Sequence, residues 1–145
     1  MSYFADSDDL YGTLGRLITD ALEDEMLGPL FARANTTTQW LYTTPEATIT
    51  MRLADGEPAE VAFGPTDLEP EVTLAMDADV AHQFWIGELN VGVALARGQI
   101  VATGPVEKIL RLVPLATRVI PRYRRLLVAQ GRLEGDALPV DATAV

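Results

Sequence analysis

The sequence contains no cysteine, a single histidine and only two serines, Ser2 and Ser7, both close to its N-terminus. The absence of cysteine excludes a disulfide framework, a thiolate metal site and a thiol nucleophile. A Ser-His-acid triad would have to combine His82, which lies in a helical pattern, with one of the terminal serines. The composition therefore favours a binding domain over a hydrolytic enzyme, and we expect no catalytic residue, no cofactor and no metal.

Long apolar runs and an excess of basic charge are also missing. No stretch of about 18 uncharged apolar residues, the length that a membrane-spanning helix needs, is present. The segment Met1–Asp9 carries aspartates and no basic residue, so we predict no secretory signal. The 21 acidic against 11 basic side chains give a net charge of −10, which repels polyanions, and we expect no nucleic-acid partner. A soluble, cytoplasmic protein, bacterial in origin, is the predicted class.

The charge is divided unevenly along the chain. Residues 1–79 hold 16 acids and 3 bases, whereas residues 80–145 hold 5 acids and 8 bases. Two interpretations of the second group stay open. Cations near helix C-termini complement the helix dipole, or they meet an anionic membrane surface or an acidic partner in a transient contact. The arginines concerned are Arg111, Arg118, Arg122, Arg124 and Arg125.

The first half of the chain has one helical and four strand-like segments. Apolar residues recur at helical spacing from Asp8 to Leu30, where Gly28-Pro29 is expected to end or kink the helix. Alternation of apolar and polar residues then predicts four short strands, arranged most simply as a meander. These strands are Thr36–Thr44, Ala47–Leu53, Glu60–Gly64 and Glu71–Met76.

The second half is mainly helical. We predict a helix from Asp77 or Asp79 to Gly87, a second from Asn90 to Arg97, a strand Gln99–Thr103, and helical pieces from Gly104-Pro105 to Gly131 that Pro114 and Pro121 interrupt. Residues 132–145 show no period and are expected to form a flexible tail. The predicted fold class is α+β, a single domain over residues 1–131 with a five-stranded sheet covered by helices on one face.

One part of this pattern resembles a known family. The segments Glu71–Met76, Asp79–Asn90, Ala94–Gly104 and Glu107–Leu112 are similar to the core of the sterol carrier protein 2 family. The residues that carry the resemblance are Gly87, Leu89, Asn90, Ala94, Gly98, Ile100 and Gly104, over about residues 70–113 without a gap. The departure is at Leu95, Ala96 and Arg97, where the family often has aromatics and a glutamine.

The resemblance implies a non-catalytic lipid carrier whose apolar tunnel takes a sterol, a fatty acid or a fatty acyl-CoA. The candidate ligand-binding residues are the larger apolar side chains of the predicted elements, with Arg97 and Tyr123 as polar groups at a mouth. They are Trp40, Met51, Met76, Phe84, Trp85, Leu89, Leu95, Arg97, Ile109, Leu112, Leu115, Ile120 and Tyr123.

Two other functions stay open at this point. The first is an enzyme or enzyme-accessory domain that acts on a hydrophobic small molecule, with carboxylates transferring protons. The second is a dimerisation domain, a homodimer with a filled core. A calcium loop is not among the candidates, because Asp77, Asp79 and Glu88 match that template while His82 stands where its turn needs glycine.

Overall fold

A computed structural model describes residues 3–133 of the chain, and these fold into one α+β unit. Helices precede, interrupt and follow a single five-stranded sheet. In chain order the elements are α1 Ser7–Leu10, a π-helical turn Tyr11–Gly15, α2 Arg16–Glu23, α3 Leu27–Ala32, β1 Thr37–Thr43, β2 Ala47–Arg52, β3 Glu60–Phe63, β4 Val72–Asp77, α4 Ala78–Trp85, α5 Val91–Ala96, β5 Ile100–Thr103, α6 Val106–Thr117 and α7 Ile120–Ala129.

The strands run in the order β3-β2-β1-β4-β5. All neighbours are antiparallel except β1 and β4, which are parallel. The predicted four-strand meander is therefore wrong for β4: only β1 to β3 form a meander, and the chain then crosses over to place β4 beside β1. Periodicity missed this because alternation shows which face of a strand is buried and does not show which strand lies beside it.

One face of the sheet carries the core. In β1 the buried residues Thr38, Trp40 and Tyr42 alternate with half-buried ones, as a strand with one covered face requires. Trp40 lies between Ile49 of β2 and Leu74 of β4 in the register. The helices pack against this face, so the α+β class and the five-stranded sheet are confirmed.

The first helical segment is interrupted earlier than predicted. Helix α2 ends at Glu23, and Gly28 lies inside α3, so the expected helix end at Gly28-Pro29 is wrong. The interruption follows from Asp24, whose carboxylate accepts the N–H groups of Met26 at 2.8 Å and Leu27 at 2.9 Å and so begins a new helix. Gly28 is needed there because a Cβ at this position would collide with the carbonyl oxygen of Leu22.

The C-terminal helices differ from the prediction at one proline. Pro114 lies inside α6 without ending it, while Pro121 begins α7 in its first turn, where its missing N–H has no helical partner to lose. The chain remains attached to the body at its last described residues. Arg132 forms an ion pair with Asp9 and lies over the ring of Tyr3, and Leu133 packs against the core. The rest of the predicted tail, residues 134–145, lies outside the described residues.

Candidate ligand-binding site

Two short helices cross the sheet near β4 and β5, and glycines set their ends. Gly87 follows α4 with φ +88°, and Gly98 follows α5 with φ +74°. Both angles lie in the left-handed region that glycine adopts without strain and that stops a helix sharply. The predicted helix ends at these two glycines are confirmed. Asn90 begins α5, since its side chain accepts the N–H of Val93 at 3.1 Å.

A cavity lies between the covered face of the sheet and helices α2 to α6. The space between its walls is about 840 Å³, part of it open to solvent, and only about 70 Å³ can hold the centre of a water molecule. Only the smaller volume can be compared with the roughly 300–1,000 Å³ usual for small-molecule sites, and it is well below that range. The smaller one shows that the opposing walls stand close together. The cavity is therefore a narrow slot that has to widen to admit a bulky ligand.

Most of the side chains proposed from the sequence meet in this slot. The sheet supplies three of them, the two short helices supply three more, and α6 supplies the last two. The eight that line it are Trp40, Met51, Met76, Phe84, Trp85, Leu95, Ile109 and Leu112.

Five of the proposed residues do not line the cavity. Leu89, Leu115 and Ile120 are half-buried and pack against the outside of the core cluster. Arg97 is exposed, and so it does not place a cation in the wall. Tyr123 is fully buried, and its hydroxyl is bound to His82 at 2.8 Å, so it is a core residue of α7 and does not stand at a mouth.

Eleven lining residues were not proposed from the sequence. Most are small or ordinary aliphatic side chains on the buried face of a helix or strand. The spacing of such residues predicts that they are buried, but it does not distinguish a residue packed in the core from one that lines a cavity. They are Ile18, Ala21, Leu22, Phe31, Leu74, Val91, Ile100, Ala102, Val113, Ala116 and Val119.

The lining contains no ionisable side chain. All 19 residues are apolar, and the only side-chain N–H groups among them are the indole nitrogens of Trp40 and Trp85. The two indole rings lie with centroids 5.7 Å apart, and Phe84 packs edge-on against Trp85 at 4.7 Å. Such a wall binds apolar surface, and it supplies no group that can transfer a proton.

The lone histidine lies outside this wall. His82 stacks on Tyr3 with ring centroids 3.6 Å apart, and its Nδ1 is 2.8 Å from the hydroxyl of Tyr123. Burial lowers the pKa of His82, while the nearby carboxylates of Asp79 and Glu88 raise it to a smaller extent. Burial also raises the pKa of Tyr123. The hydrogen bond between His82 and Tyr123 joins α4 to α7, and the stacking of Tyr3 on His82 attaches the N-terminal segment to them.

Two of the C-terminal arginines have structural partners. Arg122 forms an ion pair with Asp24, and Arg124 donates to the carbonyl oxygen of Ile86 at 2.5 Å. The N–H groups of Leu27 and Met26, followed by the guanidinium of Arg122, lower the pKa of Asp24. These contacts join α7 to the start of α3 and the end of α4. Arg111, Arg118 and Arg125 remain exposed.

The described part of the chain has neither a metal-binding cluster nor a membrane-spanning helix. Between residues 3 and 133 no three histidine, aspartate or glutamate side chains come together in a way that would hold a metal ion. Within that range no helix is both long enough and apolar enough to span a bilayer.

Solved structures with the same arrangement include several sterol carrier proteins. The sterol carrier protein domain 2 of Helicoverpa armigera superposes with a TM-score of 0.64 at 16% identity, covering 83% of this chain and 94% of that one. The apo form of sterol carrier protein 2 from Yarrowia lipolytica gives 0.61 at 17% identity, covering 82% and 98%. The ubiquinone synthesis protein UbiJ-SCP2 gives 0.56 at 14% identity, covering 74% and 90%.

By sequence alone, no family model and no curated protein matches the chain. The similarity is therefore one of fold, and it extends over nearly the whole length of the neighbours. The resemblance first seen in Gly87, Asn90, Gly98 and Gly104 agrees with it. The chain has the fold of a sterol carrier protein 2 domain.

Proposed function

We propose that the chain is a non-catalytic carrier that encloses a single apolar molecule in the slot between the sheet and helices α2 to α6. The observation that carries this proposal is the wall itself, 19 apolar residues without one ionisable group. The fold supports it, because the neighbours named above are sterol carrier proteins.

Apolar burial is strong enough to bind a ligand here without any polar contact. Each buried methylene contributes about 0.8 kcal/mol, so ten methylenes contribute on the order of 8 kcal/mol. Association costs about 4–15 kcal/mol, with the higher estimates for larger losses of freedom. At the lower end of that cost about 4 kcal/mol remains, which corresponds to a Kd of about 1 mM. Binding through ten methylenes alone is therefore weak and tolerant of ligand shape, and a ligand with more apolar surface binds more tightly.

A second function is favoured by one of the structural neighbours. UbiJ-SCP2 is a ubiquinone synthesis protein with this fold. In this second function the chain would be an accessory protein that holds a hydrophobic intermediate for a separate enzyme. Its own apolar cavity would not catalyse a reaction. The carrier and the accessory function share the same site and differ in the partner that collects the ligand.

Quenching of tryptophan fluorescence by 1-bromododecane tests the proposed site. The chain has two tryptophans, and both line the slot, so the whole tryptophan signal comes from the cavity wall. We expect saturable quenching at one molecule per chain and weak quenching by aqueous acrylamide, since Trp40 is 7% exposed and Trp85 is 2% exposed. Quenching that rises without saturation would count against a bound site.

We also propose that the exposed apolar residues near the slot contact a lipid surface while the ligand is exchanged. Leu95 lines the slot and is 39% exposed, and Val106 and Leu110 of α6 are 65% and 64% exposed. The exposed Arg111 follows directly. We expect the chain to sediment weakly with vesicles that contain phosphatidylglycerol and the variant Leu110→Glu to lose this binding. Equal sedimentation of the two proteins contradicts the contact.

A further inference from the structure

The most exposed part of the wall of the slot is helix α5. Of the 19 lining residues, Leu95 is the one that is more than a third exposed, at 39%. Val91, one turn earlier, is half-buried and is the other residue that this helix adds to the wall. At Leu95 a single side chain therefore separates the slot from solvent.

Polar side-chain contacts fasten the other helices that line the slot. Lys108 of α6 forms an ion pair with Glu71 beside β4, with 3.1 Å between nitrogen and oxygen. The hydrogen bond between His82 and Tyr123 joins α4 to α7. Asp24, which lies between α2 and α3, is paired with an arginine of α7. Each of these helices is thus held to a second element by more than its apolar face.

Helix α5 has no contact of this kind. Its residues are all apolar, so their side chains form no ion pair and no hydrogen bond. Within residues 3–133, the backbone hydrogen bonds of residues 91–97 run only to residues 90–99. Ala94 is the one fully buried residue of the helix. Because segments with few buried contacts open at a lower free energy than the whole protein unfolds, α5 is the part of the wall that can move most easily.

Glycines stand on both sides of α5. Gly87 precedes the turn that leads into the helix, and Gly98 joins the helix to β5, with φ +88° and +74°. Glycine reaches more of φ/ψ space than any other residue, so the chain turns at these two positions at the least cost. The space around Gly98 is open as well, because a Cβ there would have no heavy atom beyond its chain neighbours within 4 Å. The segment between the two glycines can therefore move as a unit.

We propose that α5 is the gate of the slot, a segment that swings outward about Gly87 and Gly98, admits the ligand past Leu95 and closes behind it. The inference rests on the proposed function, because a gate matters only if the slot takes up a ligand. It assigns the movement that a space of about 70 Å³ requires, since that volume is well below the size of an ordinary small-molecule site. The sheet and the fastened helices keep their positions during entry.

A buried thiol on α5 reports the opening of the gate. The chain has no cysteine, so the variants Ala94→Cys on α5 and Ala81→Cys on α4 each carry a single thiol, at positions that are both 0% exposed. A positively charged methanethiosulfonate reagent reacts with either thiol only while that thiol is exposed. We expect Ala94→Cys to react at least about tenfold faster than Ala81→Cys, because α5 opens without unfolding of the whole chain. The two rates are compared after correction for the free energy of unfolding of each variant, measured with urea.

An alanine at the hinge tests whether this opening controls ligand entry. Gly98→Ala strains the closed form, because φ +74° lies in the left-handed region, and the strain is relieved when the chain turns at this position. In stopped-flow quenching by 1-bromododecane we expect the association and dissociation rates to rise together by about five- to thirtyfold, with little change in Kd. Gly131→Ala is the matched control, since Gly131 has φ +73° and equally open surroundings but follows α7 and does not line the slot. It should leave both rates unchanged.

The outcomes distinguish the gate from the binding site. If Ala94→Cys and Ala81→Cys react equally slowly, or if Gly98→Ala changes the quenching rates no more than Gly131→Ala does, the inference is wrong and the proposed function stands. If none of the proteins shows saturable quenching, the proposed function and the gate both fail. If Ala94→Cys does not fold, the quenching rates of the two glycine variants decide the question alone.

Discussion

The substitution Ala116→Leu should have opposite effects on folding and on binding. Ala116 of α6 is 8% exposed and lines the slot. A leucine at this position places about three additional carbon atoms in space that a ligand would otherwise occupy, with about 0.8 kcal/mol gained for each methylene that is removed from water. Ordering the leucine side chain costs about 0.5–1 kcal/mol. We therefore expect the free energy of unfolding to rise by about 1–2 kcal/mol.

Binding should weaken, because the leucine side chain occupies space that part of the ligand would otherwise fill. A ligand that loses contact for about three methylenes loses roughly 2.4 kcal/mol, which is about a 50-fold weaker Kd. Urea denaturation followed by circular dichroism measures the first effect, and quenching by 1-bromododecane measures the second. Ala129→Leu on α7 is the matched control, since Ala129 is exposed and does not line the slot.

The result that refutes this reasoning is a variant that loses more than about 1 kcal/mol of stability, the cost of overpacking, and still binds the probe normally. That outcome would mean that the space beside Ala116 is already filled and that the ligand binds elsewhere. A stabilised variant with unchanged binding would also separate the slot from the ligand site.

Two further predictions concern stability. Gly104→Ala should lower the free energy of unfolding by more than about 3 kcal/mol. Gly104 has φ +127°, and a Cβ there would collide with the Glu71 carbonyl oxygen and lie 3.1 Å from the Cα of Val72. An unchanged urea midpoint would contradict this close contact between Gly104 and the start of β4. Burial lowers the pKa of His82 in the folded protein below 6.5, its ordinary value in an unfolded chain. The free energy that the neutral imidazole contributes to folding is therefore fully present above pH 6.5, and it is lost as the pH falls from 6.5 toward the pKa of the folded protein. His82→Gln should therefore flatten the dependence of Tm on pH in this window, and an identical profile for the two proteins would disprove the role given to His82.

The sequence predicts the elements of this fold better than their arrangement. The threonine and aromatic content of β1, the alternation in β2 and the glycines at 87 and 98 are local signals, and the strands and helix ends that they predict are confirmed. The alternation does not show that Thr50, on the face predicted to be polar, is buried as well. The parallel pairing of β1 with β4 depends on a crossover after β3, and no residue within either strand encodes it. Pro114 was expected to end a helix, yet α6 continues because Leu112 and Ala116 on its buried side hold both halves of the helix against the core.

The site was predictable where a side chain is both large and inward-facing. Trp40, Phe84 and Trp85 meet this condition and line the slot. Tyr123 is predicted to be a polar group at a mouth, but it is buried and its hydroxyl pairs with His82, a contact between residues 41 positions apart that spacing does not reveal. Ala102 and Ala116 were missed for the opposite reason, since a small residue on a buried face has no local mark that distinguishes a cavity wall from close packing.

The central claim is that the slot encloses a neutral apolar molecule. Native mass spectrometry of freshly purified protein, followed by organic extraction and identification of the released compound, tests it most directly. The account predicts a one-to-one complex whose ligand is uncharged and largely apolar. Protein that is free of ligand and also fails to take up 1-bromododecane would contradict it.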